Sequence, residues 1–201
     1  MVPRVRREIA RIFACSIAVK RQFLRESVGA LVEVIDVVAA ALRAGNKLLL
    51  FGNGGSAADA QHIAAEFVNR FKIERVPLPA IALTTDTSAL TSIANDYSFA
   101  EVFAKQVRAL GRAGDVALAI STSGNAANVL RAVATCRRSG ITSVALTGGT
   151  GGKLARAADL VLRVGGTTET ARIQETHILI GHVICELVDA ELFPTPVQPT
   201  S

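Results

Sequence analysis

The chain has 201 residues, half of them apolar and 19% charged, which is enough for one globular domain with a real core and too hydrophobic for a disordered chain. Its formal charge of +5 points toward polyanion partners, yet Arg4, Arg6, Arg7, Arg11, Lys20, Arg21 and Arg25 against Glu8 and Glu26 carry the whole surplus, so the rest of the chain is neutral. Three dispersed cysteines with no C-x-x-C pair indicate neither a disulfide framework nor a thiolate zinc site, and nine aromatics without tryptophan make a poor base-stacking surface.

The first 45 residues read as N-terminal helices. Arginines followed by Ile12 to Val19 imitate a signal peptide, but Lys20-Arg21-Gln22 stands where small residues would mark cleavage, and an amphipathic helix is the better reading. The longest apolar stretch, Val28 to Leu42, is interrupted by Glu33 and Asp36 and falls short of a membrane span. Five short apolar runs follow: Lys47 to Phe51, Ala80 to Thr84, Val116 to Ile120, Ser143 to Thr147 and Leu160 to Val164. Separated by helix-length segments, they predict βαβ units, hence a doubly wound α/β domain with a five-stranded parallel sheet over residues 46–192. The runs are apolar throughout, as strands covered on both faces should be. Residues 193–201, with three prolines, read as a flexible tail.

Two strand-to-helix turns look alike. The first strand runs into Gly52-Asn53-Gly54-Gly55-Ser56, and the third into Ser121-Thr122-Ser123-Gly124-Asn125. Glycines admit a ligand close to the backbone, hydroxyls donate hydrogen bonds, and a helix N-terminus offers free N–H groups, a combination that suits phosphate. Each loop is also readable as an ordinary turn with a capping serine. Gly148-Gly149-Thr150-Gly151-Gly152-Lys153-Leu154 fails the P-loop spacing, and neither turn meets the dinucleotide fingerprint.

His62 and Glu66 are spaced i, i+4 on the helix after the first loop and share a face. His182 interrupts an apolar stretch of a long C-terminal helix, Ala171 to about Leu192, whereas His177 lies about 140° around that helix and reads as structural. A carboxylate and a histidine beside a phosphate cradle fit proton transfer on a sugar phosphate. His62, Glu66 and His182 equally fit a zinc site, with the Gln174 carbonyl an unusual fourth ligand.

At these residues the sequence resembles the phosphoheptose isomerase family of the sugar-isomerase (SIS), flavodoxin-like fold, over about residues 30–192. The resemblance runs through Gly52 to His62, Thr84 to Leu90, Ala94 to Tyr97, Ser121 to Asn125 and Thr170 to Glu175, up to His182. It implies a cytoplasmic aldose–ketose isomerase that converts sedoheptulose 7-phosphate to D-glycero-D-manno-heptose 7-phosphate through an enediol, for the heptose of lipopolysaccharide or surface glycans. It implies a homotetramer held in part by the N-terminal helices, with sites between subunits, and one Zn2+ per subunit. Carried over by position, Ser56, Ser121, Thr122 and Ser123 meet phosphate, while Asn53, Gly54, Gly55, Asn95 and Asp96 contact the sugar. Glu66 is the catalytic base and His182 the acid. His62, Glu66, Gln174 and His182 are the zinc ligands, with Glu66 and Gln174 also touching substrate. One departure stands out: Ala126 follows Ser-Gly-Asn where the family usually has serine. Two other classes compete: a non-enzymatic SIS protein that binds the bacterial replication initiator, resembled at Ala58 to His62, Asn69 to Phe71, Ala104 to Leu110 and Leu192 to Pro194, and a phosphosugar sensor. Nucleic acid and membrane are not expected partners.

Overall fold

The computed structural model describes residues 2–194; the tail expected at 193–201 therefore lies, beyond Pro194, outside the described residues. The chain begins with one continuous helix, α1 (Val2–Arg43), rather than several. Pro3 sits in its first turn, where a missing N–H costs nothing, and no later residue up to Arg43 is a proline, so nothing breaks it. There follow β1 (Leu48–Gly52), α2 (Gly55–Val68), β2 (Ala80–Ala82), α3 (Thr87–Asp96), a single 3₁₀ turn at Phe99–Glu101, α4 (Val102–Leu110), β3 (Val116–Ser121), α5 (Ala127–Arg138), β4 (Thr142–Gly148), the one-turn α6 (Leu154–Ala157), β5 (Leu160–Val164) and α7 (Thr170–Leu192).

All five strands are parallel, in the order β2-β1-β3-β4-β5. The order reverses between β1 and β3, so a crevice opens beyond the carboxyl ends of those two strands. Strand alternation sorts the core. Leu48 and Leu50 of β1, with Leu118, Leu146 and Leu162, pack toward α1, α2 and α7, whereas Leu49 and Phe51, with Ala117, Ala119 and Ala145, pack toward α4 and α5. The second expected strand is shorter than its apolar run: Ala80–Ala82 pairs only with β1 and lies at the sheet edge.

α1 and α7 pack side by side. Arg172 Nη1 donates to the Ile12 carbonyl at 3.0 Å and Ser16 Oγ donates to Glu175 at 2.7 Å, which ties the first third of α1 to the start of α7. Residues 2–14 are exposed on every side of the helix. No helix among the described residues is long and apolar enough to cross a membrane.

Candidate active site

The two alike turns meet at the crevice between β1 and β3. Asn53 and Asn128 join them through a reciprocal carboxamide pair, with Nδ2 to Oδ1 distances of 2.9 and 2.8 Å, and Asn128 Oδ1 also accepts from the Val129 amide at 2.9 Å. Asn128 is almost fully buried in the first turn of α5. It escapes motif reading because a lone Asn inside a helical run carries no pattern; its polarity beside Val129 and Leu130 was the available signal. Asn53, Ser56, Ser121, Thr122, Ser123 and Ala126 surround a cavity of about 150 Å³. Gly54 is the N-cap of α2 and Ala126 that of α5, and neither makes a side-chain cap; the Ser56 amide donates to the Asn53 carbonyl and the Val129 amide to Asn128 Oδ1, so only part of each helix's first-turn N–H set is left for a ligand beside this cavity.

The glycine-rich run after β4 supports this cradle. The Gly148 amide donates to the Thr122 carbonyl at 3.0 Å, the Leu154 amide to the Gly124 carbonyl at 2.9 Å, and the Lys153 amide to Asn125 Oδ1 at 3.1 Å. Gly124 has a φ of +64°, and a Cβ there would drive into the Gly151 carbonyl, so only glycine lets the two loops meet. On the other side of Thr122 and Ser123 lies a second cleft of about 270 Å³, edged by Thr150, Thr168 and Thr170, none of which the sequence alone gives a binding role.

The His62, Glu66 and His182 cluster forms where α2 crosses α7. His62 Nε2 is 3.2 Å from Glu66 Oε1, as the i, i+4 spacing requires, and 2.9 Å from His182 Nε2 on the other helix. At that separation both Nε2 atoms cannot carry protons: either one ring donates to the other, or a cation takes the place of the proton. The three ligand atoms lie within 4.8 Å of one another, and two imidazoles with a carboxylate are a donor set that zinc accepts. The helices approach closely because Gly181 has no side chain; a Cβ there would stand 2.5 Å from Ile63 Cδ1. Phe71 stacks on the His182 ring at 5.4 Å between centroids and fixes its plane. Asp59, one turn before His62, is pushed up from the ordinary carboxyl range by burial, against the opposing pull of His62.

Other site candidates lie apart from this cluster. Gln174 packs its carboxamide against Gly55, about 12 Å along α7 from His182 at 1.5 Å per residue. Asn95 and Asp96 are exposed at the end of α3, and Asn95 Nδ2 donates to Asp96 Oδ1 at 2.9 Å. His177 is fully buried, and its Nε2 donates to the Thr147 carbonyl at 3.2 Å; burial lowers its pKa to about 4 and keeps it neutral, in line with a structural role. Burial likewise pushes the Cys136 and Cys185 thiols up to about 12, away from thiolate chemistry.

Comparison with known proteins agrees with this geometry. The SIS domain family model matches residues 13–148. A phosphoheptose isomerase of Thermodesulfovibrio yellowstonii is 51% identical over 94% of this chain and 94% of its own length, and one of Aquifex aeolicus is 54% identical over 90% and 95%. The solved structure of phosphoheptose isomerase GmhA from Neisseria gonorrhoeae superimposes with a TM-score of 0.87 at 48% identity, covering 92% of this chain and 99% of that one. A Ser/Thr/Asn cradle at the sheet's switch point and a His-Glu-His cluster on two crossing helices thus stand on a chain about half identical to such proteins along nearly its whole length: it belongs to the phosphoheptose isomerase family of SIS-domain proteins.

Proposed function

We propose that this chain interconverts sedoheptulose 7-phosphate and D-glycero-D-manno-heptose 7-phosphate in the cytoplasm, toward the heptose of lipopolysaccharide or other surface glycans. The observation that carries the reading is the convergence of Glu66 with His62 and His182 at the α2–α7 crossing, on a chain this similar to phosphoheptose isomerases. The Glu66 carboxylate takes the proton from C1 of the ketose. The C1–H electrons become the C1–C2 double bond, and the C2 carbonyl oxygen gains a proton, giving the enediol. Returning a proton to C2 while the C1 hydroxyl loses its own yields the aldehyde. His182, held in plane by Phe71, serves the oxygens. Ser56, Ser121, Thr122 and Ser123 hold the phosphate with the helix N-termini, and Asn53, Gly54, Gly55, Asn95 and Asp96 contact the sugar. Binding energy at the phosphate orients the reacting carbons.

Zn2+, one per subunit, fits His62, Glu66 and His182; Gln174, the further ligand the family resemblance implies, stands about 12 Å along α7 in the same chain and would join this set only from another subunit. When bound, such an ion supplies positive charge that polarises the substrate oxygens. Glu66 then holds the ion and acts on the substrate in one position.

The working form is a homotetramer with sites between subunits. Ser56 and Glu66 are ten residues apart on α2, about 15 Å along the axis, whereas C1 and C7 of an extended heptose are separated by roughly 8 Å. A cradle and an acid–base cluster from different subunits would close that gap. The surface needed for assembly exists: a groove of about 480 Å³ with an almost wholly apolar lining runs between α1 and α7 past Ile17, Leu24, Val28, Val32, Leu179 and Leu187, all exposed. Val2, Val5, Ile9 and Ile12 extend an apolar stripe at 3-4-3 spacing along the uncovered start of α1.

Incubation of the untagged protein with sedoheptulose 7-phosphate in D₂O tests the reading. The expected product is the aldoheptose phosphate with deuterium at C2, and Glu66→Gln should slow it by about 10²–10⁴-fold. Binding without exchange would make the chain a phosphosugar sensor; capture of the replication initiator without turnover would make it a replication factor. Metal analysis of the same preparation should find zinc in the parent and none in His62→Ala or His182→Ala.

A further inference from the structure

Arg75 lies in the loop between α2 and β2, outside every motif, yet its guanidinium is almost wholly buried and every nitrogen of it is engaged. Nε donates to Asp189 Oδ1 at 3.0 Å. Nη2 donates to the Glu66 carbonyl at 2.8 Å, and Nη1 to the carbonyls of Phe67, Asn69 and Val76 at 2.8, 3.0 and 3.2 Å. The last carbonyls of a helix have no partner within it and carry the negative end of its dipole. α2 has no basic residue in its own last turn, so Arg75 supplies that charge from beyond the helix. Asp189, the other partner, stands seven residues after His182, which places both on one face of α7. The same loop reaches α7 twice more, through Phe71 stacked on His182 and through Lys72, whose ammonium is 2.7 Å from Glu186.

We infer that Arg75 is a positioning residue for the isomerase site: it locks the turn of α2 that carries Glu66 onto the face of α7 that carries His182. The inference rests on Glu66 and His182 being the reacting pair, as proposed above. Only a planar fork with several fixed N–H directions spans three carbonyls of a helix end and a carboxylate at once; a lysine ammonium at the same place keeps the charge and loses the span. The anchor and the 2.9 Å His62–His182 approach lie at the same helix crossing, so slack at Arg75 is passed to the distance between the two reacting side chains.

The test compares Arg75→Lys and Asp189→Asn with the parent, and with Val133→Ala, a core truncation on the opposite face of the sheet, as a stability control. Turnover of sedoheptulose 7-phosphate is measured well below each Tm. The expected result is a 10- to 100-fold fall in kcat for both site variants with KM within twofold, while Val133→Ala lowers Tm and leaves kcat unchanged. Asp189→Asn keeps the shape of the partner and serves if Arg75→Lys does not fold. A kcat within twofold of the parent in the folded variants overturns the inference. So does a loss that matches the control at equal Tm. A parent chain that does not exchange the C2 proton overturns the isomerase reading itself, and this role with it.

Discussion

The close approach of α2 and α7 at Gly181 can be turned into a number. Gly181→Ala would put a methyl 2.5 Å from Ile63 Cδ1 and 2.7 Å from Ile63 Cγ1, against the 3.5–4.0 Å at which carbon atoms rest, so the two helices must part by about 1 Å. Ile63 is nearly fully buried among Ile180 and Ile184 and has no free space to turn into. Overpacking of this kind costs about 1–3 kcal/mol, while alanine in place of glycine inside a helix returns about 1 kcal/mol, so the net destabilisation is about 0–2 kcal/mol. In a chain of this length that lowers Tm by less than about 8 °C. Catalysis feels the same displacement differently, because Ile63 and Gly181 are the immediate neighbours of His62 and His182. A 1 Å misplacement of reacting groups costs about 10²-fold, so kcat should fall by about two orders of magnitude in a protein that is still folded. Thermal melting and the D₂O exchange assay read the two effects separately. Adding Ile63→Ala removes both clashing atoms, and the double variant should recover more activity than the separate effects allow when summed. A Gly181→Ala protein with kcat within threefold of the parent would refute this account, since the crossing would then tolerate a separation that the His pair does not.

Three further outcomes follow from other parts of the molecule. His177 holds a pKa of about 4 in the fold against 6.5 when exposed, so between those values the unfolded chain binds a proton that the folded chain refuses. Stability is therefore full above pH 6.5 and falls by up to about 3 kcal/mol as pH drops toward 4; urea titrations should show this slope in the parent and not in His177→Gln. Ala126→Ser supplies the missing cap of α5 and a hydroxyl facing the cradle, with an expected gain of about 1 kcal/mol in stability and a several-fold lower KM, while an unchanged KM would remove this cavity as the phosphate site. Leu24→Glu charges the centre of the exposed α1–α7 groove, and light scattering should then detect a smaller assembly than the parent's; an unchanged mass would exclude that face from the interface.

Legibility in the sequence followed the range of the interactions. β1, β3, β4 and β5 appear within a residue or two of their apolar runs, because a buried parallel strand writes its burial directly into consecutive residues. β2 shrinks to three residues because an edge strand keeps only the ladder its single neighbour offers. The pairing of His62 with Glu66 was readable from helical spacing alone, and the two cradles from strand, small polar turn and helix in succession. Residue type and the resemblance group His182 with His62 and Glu66, but its 2.9 Å approach to His62 required the α2–α7 crossing, which rests on a single absent side chain at Gly181 that looks like any other glycine in an apolar run.

The polar residues that escaped notice share one property. Asn128 and Arg75 act through main-chain groups: one accepts the Val129 amide while bridging to Asn53, and the other gathers the carbonyls at the end of α2. A backbone partner leaves no mark in the sequence, since every residue offers the same carbonyl and nearly every one the same amide. What is visible beforehand is only a polar side chain in a place that will be buried, and a buried guanidinium is tolerated only when all its donors and its charge are met. The basic surplus that opened the sequence divides on the same ground. The arginines of residues 4–11 lie on an exposed stretch of α1 whose apolar stripe awaits another surface, whereas Arg75, one cation among the balanced remainder, sits at the helix crossing on which the proposed chemistry depends.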